Sequence, residues 1–217
     1  MATATLAARR YHHGDLAAAL KRMALELVLD ASMESFTLRE AARQLDVSVS
    51  AVYRHYKDKA ALIDALVRDG FALLTGDLRA ARDRPFAGFS RLESIGIAYV
   101  RFGLRERAYF RLMYGTCSHA AAKLLLNEPN LGEEGMAVVA GELDALVAAG
   151  VLTAQARCGA EFTVWSGVHG LVHLVSHPYI RPHLDFDIEI QTALVVRSMW
   201  IGLTHGASPA LDPARRA

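Results

Sequence analysis

The sequence predicts an all-α fold in two parts, in which a cluster of short helices is joined by one long helix to a bundle of longer, more apolar helices. Nearly every segment of the 217-residue chain repeats apolar residues at helical spacing. No stretch shows the alternation of a β-strand or an Asn-Gly hairpin turn. Apolar residues make up 53% of the chain and charged residues 22%, which is typical of a globular protein and not of a disordered one.

Four capped helices are predicted before Pro85. The first follows Asp15, a good N-cap, and carries one apolar stripe formed by Leu16, Leu20, Met23 and Leu27. The other three follow residues that also cap helices well, namely Thr37, Ser48 and Asp58. Glu40 stands three residues after Thr37 and completes a capping box. The fourth helix is long and is expected to end near Asp83, because Arg84-Pro85 follows.

The helices beyond Pro85 are predicted to be longer and more apolar. They are expected near residues 88–105, 107–116, 133–149, 159–177 and 186–204, with breaks at Asn127–Gly132, Gly150 and Pro178–Pro182. The change in composition near Pro85 predicts a domain boundary there. The sequence therefore predicts three parts: an arm with short helices at 1–58, a connecting helix at 59–84, and a helical bundle at 85–217.

The third helix has two different sides on a wheel of about 100° per residue. Val49, Val52 and Tyr56 share one narrow arc and are predicted to face the core. The opposite side is polar or small, with Tyr53 on its border: Ser50, Ala51, Arg54 and His55. A helix of two turns is not stable alone, so the preceding helix must support it through Ala41, Ala42 and Leu45. Two short helices with a polar outer side are the arrangement of a helix-turn-helix, whose second helix enters the major groove.

The outward residues suit contact with DNA. Ser50 and Ala51 are small enough to bring the backbone near base edges. Tyr53 and His55 are donors that reach phosphates or bases, and Thr37 and Arg39 begin the supporting helix and can position it. Lys59 lies in the first turn of the next helix, where a lysine opposes the helix dipole unless an anion binds there. The alternative is an ordinary solvated face of a helical bundle.

Net charge supports this interpretation only weakly. The chain carries a formal net charge of +1, and residues 1–60 hold nine basic against seven acidic side chains. The N-terminus lacks the pattern of a signal peptide, and no apolar run reaches the roughly 20 residues that span a bilayer. We therefore expect a cytoplasmic protein whose two cysteines, Cys117 and Cys158, are reduced.

The stretch FTLREAARQLDVSVSAVYRHYKDKAALIDAL resembles the N-terminal DNA-binding domain of the TetR family of transcriptional repressors. RRYHHGDL, just before it, and VWSGVHGLVHL, about 100 residues later, resemble the subgroup whose C-terminal domain has a W…HG motif, here Trp165, His169 and Gly170. Asp46 stands where the family usually has a turn glycine, and aspartate tolerates the left-handed backbone that such a turn needs. Ser32 stands near another usual glycine.

The resemblance implies a ligand-responsive repressor that binds a palindromic operator as a homodimer and is released by a small-molecule effector. It implies DNA contacts from Tyr53, His55 and Lys59, with the surface completed by Ser48, Ser50, Ala51, Thr37 and Arg39. That the protein represses transcription rather than activating it is implied only by the resemblance. Effector and operator are left unidentified.

The N-terminal arm allows two interpretations. Arg9, Arg10 and His12–His13 can be a chain terminus without fixed contacts. They can also reach phosphates or the minor groove, as homeodomain arms do, and we favour this second interpretation. Arg10 is accordingly included among the predicted DNA contacts.

The C-terminal helices are predicted to supply dimerisation and effector binding. The last two long helices are too apolar to face water, and the resemblance implies that they pair with their symmetry mates through residues such as Val168, Val172, Val175, Leu194, Met199 and Ile201. Burial inside the protomer is the alternative. Small ligands prefer apolar pockets with a few polar groups, and the predicted lining is Tyr99, Phe102, Met113, Trp165 and His169.

Three histidines recur at every fourth position of one predicted helix: His169, His173 and His177. Neighbouring members have metal-ligand spacing, but the outer two lie about 12 Å apart, too far for one ion. We therefore predict no metal or cofactor and leave open whether these histidines sense metal or pH. The sequence contains no nucleophile elbow or phosphate-binding glycine loop, so a helical enzyme, or a binding protein without DNA, is the less favoured alternative.

Overall fold

The computed structural model describes residues 16–30, 35–86, 88–115, 119–176 and 186–205, with the backbone alone for 119–122. Within these ranges the chain forms helices and no β-strand, which confirms the predicted all-α fold. The helices are α1 (Leu16–Leu29), α2 (Leu38–Gln44), α3 (Val49–His55), α4 (Lys59–Arg82), α5 (Phe89–Arg105), α6 (Arg107–Tyr114), α7 (His119–Asn127), α8 (Asn130–Ala148), α9 (Ala154–Arg157), α10 (Ala160–Ser176) and α11 (Ile188–His205). In the described part of the chain, no helix is long and apolar enough to cross a membrane.

The N-terminal caps form as the sequence predicts. Side-chain oxygens of Thr37, Ser48 and Asp58 accept hydrogen bonds from the third following backbone N–H at 3.2, 3.2 and 2.7 Å. The capping box at α2 is only half formed, because the Glu40 carboxylate accepts from Arg43 and Gln44 and is thereby turned along its own helix. Asp15, Arg10 and Ser32 lie outside the described residues, as does the rest of the N-terminal arm.

The turn between α2 and α3 is a Schellman motif closed by an aspartate. Asp46 has φ 52°, in the left-handed region. Its N–H donates to the Arg43 carbonyl at 3.3 Å, and the Val47 N–H donates to the Ala42 carbonyl at 3.0 Å. The prediction that aspartate replaces glycine in this turn is therefore confirmed.

A core of small residues holds α3 against α1 and α2. Ala41, Ala42 and Val52 are fully or almost fully buried, and Tyr56 is also buried. Val49, however, is 43% exposed, so its predicted core position is wrong. Tyr56 lies beyond the last helical residue and reaches the core from extended backbone, so it does not share a helical arc with Val49.

Helix α4 connects the two ends of the molecule. It runs for 24 residues and ends at Arg82, as the proline beyond it predicts. Its first half packs against α1, and its length also contacts α5, α6, α7 and α8. Leu62, Leu66 and Val67 are wholly buried on this helix. Helix α4 therefore packs against α1, which in turn packs against α3.

The C-terminal bundle is built around α5, which packs against α4, α8, α10 and α11. Glycines allow very close approach: a Cβ at Gly103 would lie 2.6 Å from Val172, and one at Gly96 would lie 2.8 Å from Val196. Helices α7 and α9 were not expected from the sequence. Helix α7 has nine residues and leaves Leu126 exposed, and α9 has four residues, little more than one turn. The expected break at Asn127–Gly132 is narrower, because α8 begins at Asn130.

Candidate DNA-binding surface and effector cavity

Eight of the nine residues predicted to contact DNA lie in the described part of the chain, and together we call them the polar face: Thr37, Arg39, Ser48, Ser50, Ala51, Tyr53, His55 and Lys59. They lie at the start of α2, along α3 and at the first residue of α4. Ala51 and Lys59 are half-buried, and the others are exposed, Tyr53 by 43%. The outward orientation predicted for Ser50, Tyr53 and His55 is thus what the structure shows, while the role in DNA binding stays a prediction.

Two hydroxyls of the polar face also stabilise the helices that present it. Thr37 and Ser48 accept the capping bonds of α2 and α3, and Ser48 Oγ lies 3.1 Å from Ser50 Oγ. An accepted bond uses a lone pair and leaves the hydroxyl proton able to donate. Alanine at either position therefore removes a helix cap as well as a predicted DNA contact.

Basic residues around the polar face were not included among the predicted contacts. Arg54 and Lys57 are exposed beside it. Arg43 is also exposed, but it makes a bidentate ion pair with Glu40 at 2.5 and 3.0 Å. This hydrogen bonding, chiefly from Arg43 and then from Gln44, lowers the pKa of Glu40 to about 2. Arg54 lies on the outward arc of the helical wheel, and this position could have added it to the predicted DNA contacts.

Two polar contacts fasten the helices behind the polar face. Lys21 Nζ on α1 lies 2.6 Å from Asp69 Oδ2 on α4. Arg111 Nη1 on α6 donates to the Leu29 carbonyl at the end of α1 at 2.9 Å. The second contact joins the C-terminal bundle directly to the helix that supports α3.

A cavity of about 170 Å³ lies where α4, α5, α8 and α10 meet, with Tyr114 of α6 and Leu125 of α7 at its edge. Its lining is aliphatic and aromatic, with three glycines: Phe71, Leu74, Leu78, Ile95, Gly96, Tyr99, Tyr114, Leu125, Gly132, Gly135, Met136, Val139, Val164, Trp165 and Val168. The only side-chain polar atoms in that set besides the Met136 sulfur belong to Tyr99, Tyr114 and Trp165. An apolar pocket with a few convergent polar groups is the usual form of a small-molecule site.

A chain of hydrogen bonds leads from the cavity wall to the surface. Trp165 Nε1 donates to Tyr99 Oη at 3.0 Å, Tyr99 Oη lies 2.7 Å from His169 Nδ1, and His169 Nε2 lies 3.1 Å from His173 Nε2. Burial, with the neighbouring His173, lowers the pKa of His169 to about 4, so its ring is neutral near pH 7. Burial also raises the pKa of Tyr99 above its usual value and that of Tyr114 to about 12. Every group at the cavity wall is therefore uncharged.

Of the five residues predicted to contact the effector, two line this cavity and three do not. Tyr99 and Trp165 line the cavity. Phe102 and Met113 do not; both are buried in the surrounding core, Met113 beneath Gly70, so their predicted place in the lining is wrong. His169 does not line the cavity but packs behind three residues that do, with ring centroids 6.2 Å from Tyr99, 4.9 Å from Tyr114 and 5.2 Å from Trp165.

Several lining residues were missed, because the cavity arises where separate helices meet. Phe71 of α4, Tyr114 of α6 and the glycines of α8 are among them. The aromatic-rich segment that ends before Gly115 could have indicated Tyr114 as a lining residue. No sequence pattern pointed to Gly132 and Gly135, which leave room that larger side chains would occupy.

Helices α10 and α11 expose an apolar surface, which we call the apolar face: Phe162, Leu174, Ile190, Leu194 and Ile201. Of the predicted interface residues, Leu194 and Ile201 lie on it, and Val175 and Met199 are half-buried. Val168 and Val172 are buried inside the protomer against α5, so the prediction that they face a partner is wrong. The close glycine contacts of α5 explain why these two valines point inwards.

The histidines offer no metal site in the described part of the chain, where no group of three His, Cys, Asp or Glu side chains is placed to hold an ion. His169 and His173 instead form the hydrogen-bonded pair described above. His177 lies outside the described residues, and so does Cys117, whereas Cys158 is an exposed free thiol.

Two protein-family models match the chain. One, described as bacterial regulatory proteins of the tetR family, matches residues 22–66. The other, described as a tetracyclin repressor-like C-terminal domain, matches residues 92–199. Together they reach from within α1 to within α11, with a gap at residues 67–91 that covers the last two-thirds of α4 and the start of α5.

Individual relatives match the chain in sequence over a short segment and in fold over most of its length. The tetracycline repressor protein class C of Escherichia coli is 47% identical over 57 residues, a segment that covers 26% of this chain and 25% of that protein. A protein of unknown function from Rhodococcus sp. RHA1 has a solved structure that is 26% identical with a TM-score of 0.73, covering 90% of this chain and 99% of that one. A TetR family transcriptional regulator from Thermus thermophilus, 16% identical with a TM-score of 0.64, shares the fold over 86% of this chain and 97% of that one.

Proposed function

Because this chain belongs to the TetR family of transcriptional regulators, we propose that it is a ligand-responsive repressor that binds a palindromic operator as a homodimer and is released by a small molecule. The observation that carries the proposal is α3: one side is buried through Val52, and the other exposes Ser50, Tyr53 and His55. A seven-residue helix so supported, with a polar outer side, has the form of a recognition helix.

Within the polar face we assign two roles. Tyr53, His55 and Lys59 contact phosphates and fix the register of the protein on the duplex, with Thr37 and Arg39 beside them. Ser50 and Ala51, at the start of α3, approach base edges, and the Ser48 cap holds them there. Arg10 of the arm reaches an adjacent phosphate or the minor groove.

The apolar face is proposed as the dimer interface. Its large aliphatic and aromatic side chains lie on two neighbouring helices, and a partner copy would bury them in a four-helix arrangement. An isologous contact of this kind places two α3 helices about a twofold axis, which suits a palindromic operator. Operator binding also implies the cytoplasm as the compartment.

The cavity is proposed as the effector site, and α4 as the element that carries its signal. Phe71, Leu74 and Leu78 of α4 form part of the cavity wall, and the same helix begins at Lys59 in the polar face. A ligand that prefers one position of α4 shifts the spacing of the two α3 helices in the dimer. In this scheme residues 1–58 bind DNA, 59–84 connect, and 85–217 bind ligand and partner.

A gel-shift titration with the DNA upstream of the gene, over a salt series, tests the proposal. We expect site-specific binding whose affinity falls steeply with salt, and Lys59→Ala should lower the slope of log K against log salt by about 1. Lys123→Ala, an exposed lysine on α7, is the matched control and should leave the slope unchanged. Absence of binding even at low salt would contradict repression and favour a helical binding protein that does not touch DNA.

A further inference from the structure

We propose that the chain has a second ligand site, separate from the effector cavity, which binds a small organic oxyanion, either a carboxylate or a phosphate ester. The site is an open cleft of about 480 Å³ between α5, α6 and α10. Its described lining includes four polar side chains, Arg107, Arg111, His173 and Ser176, together with Phe110 and two glycines. None of these described residues lines the effector cavity, and none of them carries a carboxylate.

The two arginines of the cleft differ from the other arginines in the described part of the bundle, which comprises residues 88–115, 119–176 and 186–205. Each of the others makes an ion pair with a carboxylate: Arg91, Arg101, Arg105, Arg157 and Arg197. Arg107 and Arg111 are exposed and make no ion pair with a described residue. Glu106, next to Arg107 in the chain, accepts a bond from Arg105 at 2.9 Å instead. The cleft therefore gathers two positive charges that no described carboxylate neutralises.

Arg111 is held in position by the protein itself. Its Nη1 donates to the Leu29 carbonyl at 2.9 Å. That bond uses one of the five N–H donors of a guanidinium, so the others stay available to a ligand. A side chain that is already fixed loses less conformational freedom when a ligand binds. A carboxylate or phosphate accepts two parallel bonds from such a planar fork, and this geometry favours an oxyanion over a neutral acceptor.

The remaining walls suit the organic part of such a ligand. Phe110 is 5% exposed and lies on the inner side of the cleft, with its ring centroid 5.3 Å from that of His173. The Ser176 hydroxyl adds a further group that can donate to an oxygen. Because an apolar cavity of about 150 Å³ admits benzene, a cleft of about 480 Å³ has room for a ring as well as an anionic group.

Two contacts place the cleft between the two functional regions. Arg111 contacts the end of α1, which packs against α3. On the other side, His173 Nε2 lies 3.1 Å from His169 Nε2, behind the effector cavity. The cleft is thus adjacent to both regions, but the binding of an anion there requires neither operator nor effector.

Isothermal titration calorimetry of the full-length chain with benzoate, phenyl phosphate and benzamide tests the ligand class. Benzamide has nearly the shape of benzoate but no charge. We expect at least one of the two anions to bind about tenfold more tightly than benzamide, and added salt to weaken that binding. The anion that binds more tightly distinguishes a carboxylate from a phosphate ester. Binding of benzamide as tight as that of both anions, or no binding of either anion, would overturn the proposal.

The variant Arg107→Gln assigns the anion to the cleft. Because Arg107 is exposed and without an ion-pair partner among the described residues, the variant should keep the wild-type melting temperature while its affinity for the preferred anion falls about fivefold. Arg111→Gln should lower the affinity by a similar factor. Arg79→Gln is the matched control: it removes the same charge from α4, outside the cleft, and should leave the affinity unchanged.

Two results with these variants would contradict the site. Affinity that both Arg107→Gln and Arg111→Gln leave unchanged would mean that the anion binds elsewhere. An equal loss in all three variants would mean that the anion responds to net charge and not to the cleft. Since the titrations contain no DNA, a failure of the proposed operator binding would leave their result unaffected.

Discussion

The two ends of this molecule present their functional residues in opposite ways. The N-terminal helices place theirs outside, on a face whose buried support consists of Ala41, Ala42 and Val52. The C-terminal bundle encloses its candidate ligand site, and the cavity wall is continuous with the core. Substitutions at Tyr53, His55 or Lys59 should therefore separate function from stability, whereas substitutions at the capping residues of the polar face or around the cavity should affect both.

The largest expected effect is on stability and lies in the bundle. Phe102 is fully buried beside the cavity without lining it, so Phe102→Ala should destabilise the fold by about 3–5 kcal/mol. Chemical denaturation measures this loss. Tyr53→Ala, an aromatic truncation at an exposed position, is the control and should change the free energy of unfolding by less than about 0.5 kcal/mol. Similar losses of unfolding free energy for the two variants would contradict the difference in stability effects between the bundle and the polar face.

The next effect is on operator binding and lies on the polar face. We expect the double variant Tyr53→Ala, Lys59→Ala to lose about hundredfold in operator affinity at moderate salt, because two positioning contacts are removed. Fluorescence anisotropy with labelled operator measures the loss. The melting temperature should stay close to that of the wild type; a large decrease would mean that these side chains belong to the core.

A smaller effect concerns pH and the histidine behind the cavity. The pKa of His169 is about 4 in the folded protein, below its ordinary value of 6.5, so the unfolded chain binds more protons between these pH values. Its contribution to stability is complete above pH 6.5 and is lost as pH falls towards 4. Because the ring is only half-buried, the loss should be about 1–2 kcal/mol.

The variant His169→Gln isolates this contribution. Denaturation at pH 7 and at pH 4.5 should show a smaller difference in unfolding free energy for the variant than for the wild type. His55→Gln, on the exposed polar face, should keep the wild-type difference. If His169→Gln also keeps it, the acid sensitivity lies elsewhere.

The smallest effect concerns the contact that joins the two regions. Arg111→Gln removes the bond from α6 to the Leu29 carbonyl, worth about 1 kcal/mol, and should speed amide exchange at the end of α1 about fivefold. Hydrogen exchange read by mass spectrometry resolves this segment. Arg107→Gln, an exposed neighbour on α6, should leave the exchange unchanged. Equal acceleration by both variants would indicate a general loosening of α6.

The polar face could be predicted because its residues follow one another in sequence. Caps, a turn and one short helix place Thr37 to Lys59, and each depends on local rules. The structure confirms what those rules predict for the caps at Thr37, Ser48 and Asp58 and for the left-handed backbone of Asp46. They failed for Val49, the first residue of α3, which the helical wheel placed in the core with Val52 but which is 43% exposed.

The cavity could be predicted only in part, because no local rule tells a lining side chain from a core one. Tyr99 and Phe102 lie three residues apart on α5, and only Tyr99 meets the open space. Val168 and Val172 have the same apolar pattern as the exposed Leu174, but Gly96 and Gly103 let α10 approach α5 so closely that the two valines are buried. Such contacts depend on how distant helices pack.

Footprinting of the operator with wild-type protein and with Tyr53→Ala tests the central claim most directly. A homodimer that reads DNA through α3 should protect two symmetric patches whose centres lie about one helical turn, roughly 34 Å, or a multiple of it apart. Tyr53→Ala should weaken the protection of both patches together. A single asymmetric patch, or protection that Tyr53→Ala leaves unchanged, would contradict the account.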